Sequence, residues 1–155
     1  MAASRLFSIC MTAGSVVAMF AFSLAPALSQ EQEFHHVFDN SKLDVSAKPN
    51  EQFTDAVREF HRTGQNPYNG KPEAIEEGKK LYDETCSACH MPDGSGGMGA
   101  KLNGSQHLYP RVTTDKGLFE VVIGGAAGAM QPFGLRMTQD QILKTMAYTR
   151  TLMNK

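Results

Sequence analysis

The spacing of hydrophobic and polar residues predicts four helices after residue 50. The first runs from Glu51 to Arg62, and Gly64 follows it as a stop signal. Its large apolar residues recur at intervals of four and three, which places them on one helical face: Phe53, Val57 and Phe60. We expect this face to pack into the core.

The second predicted helix is the stretch PEAIEEGKKLYDETC, residues 72 to 86, with Pro72 in its first turn. Its buried side should carry Ile75, Gly78, Leu81 and Tyr82. A glycine inside a helix costs about 1 kcal/mol relative to alanine. Gly78 therefore predicts that another helix crosses closely at this position.

The third helix should begin at Thr114 or Asp115 and run to about Ile123. The last opens with a Thr-x-x-Gln capping box at residues 138 to 141 and continues towards Leu152. The apolar run at residues 121 to 123 has no second strand candidate to pair with. The sequence thus predicts an all-α fold of about four helices joined by long loops.

The N-terminus has the pattern of an export signal. Arg5 is its only charge, an apolar run extends from Leu6 to Leu24, and Ala27 to Ser29 fits a small-x-small cleavage site. A membrane anchor is the alternative, since the run is nearly long enough to span a bilayer. We expect residues 1–29 to be a secretory signal peptide that is removed, which would leave no stable membrane anchor.

The remaining chain has the size of one domain. We expect residues 30–50 to form an extended N-terminal arm, either disordered or docked, and residues 51–155 to form the domain itself. Removal of Arg5 with the signal changes the formal charge from −1 to −2. No basic run is present, so nucleic acid is not an expected partner.

Two of the three cysteines remain after residue 29, and they form the motif Cys86-x-x-Cys89-His90. A redox disulfide, a zinc site and covalent haem are the three interpretations. A thioredoxin-like pair should begin a helix, whereas this pair follows one. Zinc needs four ligands, and the chain has no second cysteine or histidine pair at ligand spacing, since His35 and His36 are far away in the arm and His107 is alone.

Covalent haem fits the motif, because two thiols add to the vinyl groups and the adjacent His90 can ligate the iron. It also explains residues 90 to 109, a stretch too long and glycine-rich for a compact domain unless a large cofactor organises it. We therefore expect one covalently bound haem c, attached through Cys86 and Cys89, with His90 as the proximal ligand.

The distal ligand is best sought among the methionines. Met130 stands 40 residues after His90 in the stretch GGAAGAMQPFG, where glycines allow the backbone to approach a flat ring. The remaining alternatives are Met137, Met98, His107 and an open site. A thioether is a soft neutral ligand that raises the reduction potential of the haem. An iron with both axial positions occupied has no room for a substrate, so it would transfer single electrons.

Several stretches resemble a known family. The pattern G-x-x-L-Y-x-x-x-C-x-x-C-H at 78 to 90, the loop GAMQPFG and the Ala-Tyr pair in the last helix are similar to class I cytochromes c. More narrowly, TGQNPYNG at 63 to 70, YPRVTTDKGLFEVVIGGAAGAM at 109 to 130 and LKTMAYTRTL resemble cytochrome c-L. The resemblance covers residues 63 to 152.

The resemblance implies the class I cytochrome c fold, with Cys86 and Cys89 as thioether attachments and His90 and Met130 as axial ligands. It implies an electron carrier of the periplasm rather than an enzyme. Such a carrier would accept single electrons from a methanol dehydrogenase that depends on pyrroloquinoline quinone, and pass them to a downstream cytochrome c. Its donor could instead be another quinoprotein alcohol dehydrogenase. If Met130 does not ligate, a five-coordinate haem protein that binds gas or peroxide is the alternative.

Two positions depart from the family pattern. Most class I cytochromes have proline where Ala100 stands, and its carbonyl receives the proximal imidazole N–H. Ala100 retains that carbonyl without the stiffness of proline. His107-Leu108 replaces an aromatic pair expected before Tyr109-Pro110, so packing near the haem propionates is expected to differ.

Overall fold

The computed structural model describes residues 31–154, and within them the regular structure is helical. The helices are α1 Asp55–Thr63, α2 Pro72–Thr85, α3 Ser87–His90, α4 Asp115–Gly124 and α5 Gln139–Met153. Short 3-10 turns form at Pro110–Thr113 and Phe133–Leu135. The all-α prediction is confirmed. The expected signal peptide, residues 1–29, lies outside the described residues.

The first helix is shorter than its hydrophobic pattern predicted. It begins at Asp55 rather than Glu51, because the Thr54 hydroxyl accepts a hydrogen bond from the Val57 N–H and caps the helix there. Phe53 therefore precedes the helix, although it still packs against the core. Gly64 ends the helix in the left-handed conformation, as the sequence indicated.

The principal helix pair is α2 and α5, which cross at Gly78. A Cβ atom at Gly78 would lie 1.9 Å from the carbonyl oxygen of Lys144 in α5, so the helix backbones touch at this position. The predicted close crossing is confirmed. One turn along, Tyr82 and Tyr148 pack edge to face with ring centroids 5.2 Å apart.

The described residues contain one more helix than the pattern predicted. The additional element, α3, is a single turn that carries the second cysteine and the histidine of the Cys-x-x-Cys-His motif. It follows α2 directly, and one residue, Cys86, ends α2 and precedes α3. The predicted capping box of α5 is confirmed, since Thr138 and Gln141 exchange both of its hydrogen bonds.

The arm, residues 31–50, is docked on the domain. Phe34 is buried between the rings of Phe60 in α1 and Phe119 in α4, with centroid separations of 5.6 and 5.3 Å. The arm turns back on itself, and His35 and Lys42 form an antiparallel bridge. Of the two states that the sequence left open, disorder and docking, the structure has the docked one.

Polar contacts hold the arm at its two ends. The buried Glu120 of α4 accepts the His35 N–H at 2.9 Å and also pairs with Arg111 at 3.1 Å. Further along, the side chain of Gln139 in α5 donates to the Val45 carbonyl at 2.8 Å. Without the arm, the Glu120 side chain would keep its pairing with Arg111 but lose the His35 N–H, and the Gln139 amide N–H would lose its carbonyl acceptor.

Among residues 31–154, no helix is both long enough and apolar enough to cross a membrane.

Candidate haem site

The two cysteines of the motif lie on successive turns at the end of α2. The Cys89 N–H donates to the Cys86 carbonyl at 3.1 Å, which continues the helical path from α2 into α3. Both thiols are half-buried and neither forms a disulfide. Burial raises the pKa of the Cys86 thiol, against the hydrogen bond from Thr85. A raised pKa keeps the sulfur protonated, which is the opposite of a redox-active cysteine.

The imidazole of His90 is oriented by the backbone of the following loop. Its Nδ1 lies 2.7 Å from the carbonyl oxygen of Ala100, and a carbonyl can only accept, so Nδ1 carries the proton. In the neutral imidazole this tautomer leaves the other ring nitrogen, Nε2, with the lone pair that a metal requires. The prediction that Ala100 supplies this carbonyl in place of proline is confirmed.

The loop between His90 and Ala100 is held to the motif by its backbone. The Gly99 N–H donates to the Cys89 carbonyl at 2.8 Å, and the Gly96 N–H donates to the His90 carbonyl at 3.1 Å. A Cβ at Gly99 would lie 2.9 Å from the His90 ring. Only glycine therefore allows the backbone to lie flat against the imidazole.

We expect Gly99→Ala to destabilise the haem-containing protein by about 1–3 kcal/mol, because the new methyl group would meet a ring that the Ala100 carbonyl holds in place. Gly97→Ala is the matched control. Its Cβ would meet mainly the Cε end of Met91, a flexible side chain that can move aside. Urea unfolding followed by circular dichroism measures both, and equal losses would contradict the assigned role of Gly99.

The methionines differ sharply in exposure. Met137, Met146 and Met153 are buried in the core, with Met137 only 4% exposed. Met98 is 77% exposed and lies in the glycine-rich loop. Met130 is half-buried and packs against the edge of the core. Of the candidate methionines, Met130 is therefore the one that is neither buried in the core nor largely in solvent.

Met130 ends a tight loop that begins at Gly125. The Ala126 N–H donates to the Met130 carbonyl at 3.1 Å and closes the loop. Gly125 and Gly128 both have φ near +80°, a conformation that favours glycine. A Cβ at Gly125 would lie 2.9 Å from the Met130 oxygen. The glycines of GGAAGAM thus have a geometric role that the sequence indicated.

The donor set of this region fits a covalent haem better than the alternatives. Two unpaired thiols stand one turn apart, and next to them is an imidazole whose Nε2 is left for a metal. Across residues 31–154, no three His, Cys, Asp or Glu side chains lie close enough together to hold a metal ion.

Comparison with known proteins agrees with this site. The family model described as cytochrome c oxidase, cbb3-type, subunit III, matches residues 73–148, from α2 into α5. Fold and motif together define a class I cytochrome c, an electron-transfer protein with covalently bound haem c. Cytochrome c-L of Methylorubrum extorquens is 37% identical in an alignment of 135 residues that covers 82% of this chain and 68% of that protein. The chain belongs to the cytochrome c-L family.

Two solved structures have the same fold. Cytochrome cL from the marine methylotrophic bacterium Methylophaga aminisulfidivorans superposes with a TM-score of 0.77 at 36% identity, covering 79% of this chain and 82% of that one. Cytochrome cL from Hyphomicrobium denitrificans gives a TM-score of 0.76 at 38% identity, covering 80% and 75%. At these values the likeness extends to the arrangement of the helices around the site.

Some features of the site were not predicted from the sequence. The hydroxyl of Tyr109 accepts a hydrogen bond from the Ala127 N–H at 3.3 Å, which joins the segment before α4 to the Met130 loop. The one signal in the sequence is the residue type, since Tyr109 is an aromatic residue with a hydroxyl that can form a hydrogen bond. The two residues that replace the expected aromatic pair differ in burial, since His107 is half-buried and Leu108 is exposed.

Proposed function

We propose that this protein is a periplasmic carrier that accepts single electrons from a quinoprotein methanol dehydrogenase and passes them to a downstream cytochrome c. Membership of the cytochrome c-L family is the observation that carries the proposal, since two of its structurally similar relatives are cytochromes cL and one comes from a methylotroph. The signal-like sequence of residues 1–29 supports export. Residues 30–50 and 51–155 would then form the arm and the haem domain of the mature protein.

Within this function, Cys86 and Cys89 would attach the haem and His90 and Met130 would ligate its iron. The bound haem supplies the one-electron chemistry. The chain contributes the environment of the ligands. Ala100 holds the His90 ring through Nδ1, which makes Nε2 more electron-donating, and the Met130 loop presents a neutral thioether. With His90 and Met130 both bound to the iron, no coordination position would be left for a substrate.

The surface by which a partner would approach is the rim, which we define as residues 94–99. Four of its residues are glycines, so its backbone can come close to a partner. Met98 is its large apolar side chain and is 77% exposed. An exposed methionine has a flexible, unbranched side chain that adapts readily to another surface. The rim begins four residues after His90 in the chain, so docking there would bring the dehydrogenase beside the haem.

Stopped-flow mixing tests the proposed function. The oxidised holoprotein is mixed with purified methanol dehydrogenase that has been reduced by methanol, and haem reduction is followed by absorbance. We expect reduction at least as fast as the turnover of the dehydrogenase. The absence of reduction on that timescale would refute the donor that we propose.

Two charged substitutions locate the docking surface in the same experiment. Met98→Asp should slow the second-order reduction rate roughly tenfold or more, because a desolvated apolar contact at the centre of an interface is replaced by a charge. Phe38→Asp is the matched control, since Phe38 is 63% exposed but lies on the arm. It should leave the rate within about twofold. Equal slowing by both substitutions would argue against the rim.

A further inference from the structure

The Met130 loop is unusual in having almost no side chains with which to anchor itself. Residues 124 to 129 are glycine and alanine only, and residues 127 to 129 are exposed. A Cβ at Gly128 would meet nothing within 4 Å. A loop of small residues keeps a high conformational entropy, so a fixed geometry must come from contacts with other parts of the molecule.

Ala126 and Met130 pack against the core, but hydrogen bonds that could fix the loop are few. In the described structure, residues 126 to 131 take part in two hydrogen bonds. One is internal and joins Ala126 to the Met130 carbonyl. The other comes from outside the loop and joins the Ala127 N–H to the Tyr109 hydroxyl. Tyr109 is therefore the side chain that holds the middle of the loop in place.

Tyr109 is itself held firmly. It is half-buried, packs against the same core as Met130, and caps the 3-10 turn Pro110–Thr113. This turn lies directly on α4, where a Cβ at Gly117 would be only 2.1 Å from the Arg111 carbonyl oxygen. On its other side, Arg150 of α5 donates to the Val112 carbonyl at 2.7 Å. The tyrosine thus connects the glycine- and alanine-rich loop to the helical part of the domain.

We propose that Tyr109 is a positioning residue for the distal ligand, whose hydroxyl holds the Gly125–Met130 loop so that the Met130 thioether stays on the iron. This inference rests on the ligation of Met130 proposed above. Loss of the hydroxyl would free the Ala127 N–H to solvent and allow the loop to swing away more often. Tyr109 touches neither electron donor nor acceptor in this role, and it acts only through the loop.

Competition with free imidazole tests the inference on the oxidised holoprotein. Imidazole displaces the thioether, and the far-red sulfur-to-iron charge-transfer band reports the displacement. We expect Tyr109→Phe to bind imidazole roughly two- to tenfold more tightly than the unmodified chain, the factor that one net hydrogen bond provides. The band should also disappear at a lower temperature than in the unmodified chain.

A matched variant separates positioning from general destabilisation. Tyr68→Phe removes a hydroxyl that donates to Asp140 at 2.6 Å, at the start of α5, and it should leave the imidazole affinity within about twofold. An unchanged affinity in Tyr109→Phe, or an equal change in both variants, would overturn the inference. A chain that has no charge-transfer band before any substitution would instead overturn the ligation of Met130, and the inference with it.

Discussion

Met130→Ala is expected to abolish the sulfur-to-iron charge-transfer band of the oxidised protein and to lower its reduction potential by on the order of 0.1 V or more. A soft neutral thioether favours the reduced iron, and axial ligands as a class set haem potentials over a range of about 0.8 V. Because Met130 is only half-buried, at the end of a closed loop, its truncation should remove the ligand with little loss of core packing. Optical spectroscopy and potentiometric titration measure the two effects.

Met137→Ala provides the control for this substitution. Met137 is 4% exposed inside the core, so its truncation should cost about 2–5 kcal/mol of stability through lost packing. It should nevertheless keep the band and change the potential little. Met98→Ala, at an exposed position, should change neither. Retention of the band in Met130→Ala, or its loss in Met137→Ala, would show that the distal ligand has been assigned to the wrong residue.

The second large effect is expected at the crossing of α2 and α5. Gly78→Ala should lower the free energy of unfolding by about 2–3 kcal/mol, because the added methyl would lie 1.9 Å from the Lys144 carbonyl oxygen and helix backbones cannot move apart cheaply. Helix propensity alone predicts the opposite sign, a gain of about 1 kcal/mol. Chemical unfolding of the holoprotein therefore distinguishes close packing from propensity by the direction of the change.

A substitution on the exposed side of the same helix completes the comparison. Glu84 is exposed in the last turn of α2, and Glu84→Ala should change stability by no more than about 0.5 kcal/mol. A Gly78→Ala variant as stable as this control, or more stable than the unmodified chain, would mean that the two helices do not approach as closely as described.

The helices could be predicted because their information is local. The capping box at Thr138 and the stop at Gly64 each lie within a few residues of the structure they specify. Gly78 could be interpreted because an unfavourable residue inside a helix requires a compensating contact. The start of α1 was predicted four residues too early. The hydrophobic spacing continues across Thr54, but the Thr54 hydroxyl caps the helix there, so the residues before it are not helical.

The contacts of the site likewise include some that the sequence could predict and some that it could not. The bond between His90 and Ala100 spans ten residues and follows from the motif. The bond between Tyr109 and Ala127 spans eighteen residues across a turn and a helix, and no pattern in the sequence marks a tyrosine hydroxyl as the partner of an alanine N–H. The docking of the arm depends on Glu120 and Gln139, which lie 85 and 94 residues from the arm groups they bind. The composition of the arm could not decide whether it is docked or disordered.

The partners of the arm also determine the order in which the molecule can be assembled. A polypeptide is made from its N-terminus, so residues 31–50 emerge first, yet the Gln139 that binds them opens the last helix. Gly78 likewise contacts the backbone of Lys144, which lies near the end of the chain. Because closing such distant contacts is slow relative to local helix formation, these two contacts must wait for the completed polypeptide. A chain that stops before residue 139 would still contain the two thiols and the groups that contact His35 and Phe34 of the arm. It would lack Lys144 at the crossing with α2 and Gln139 at the end of the arm.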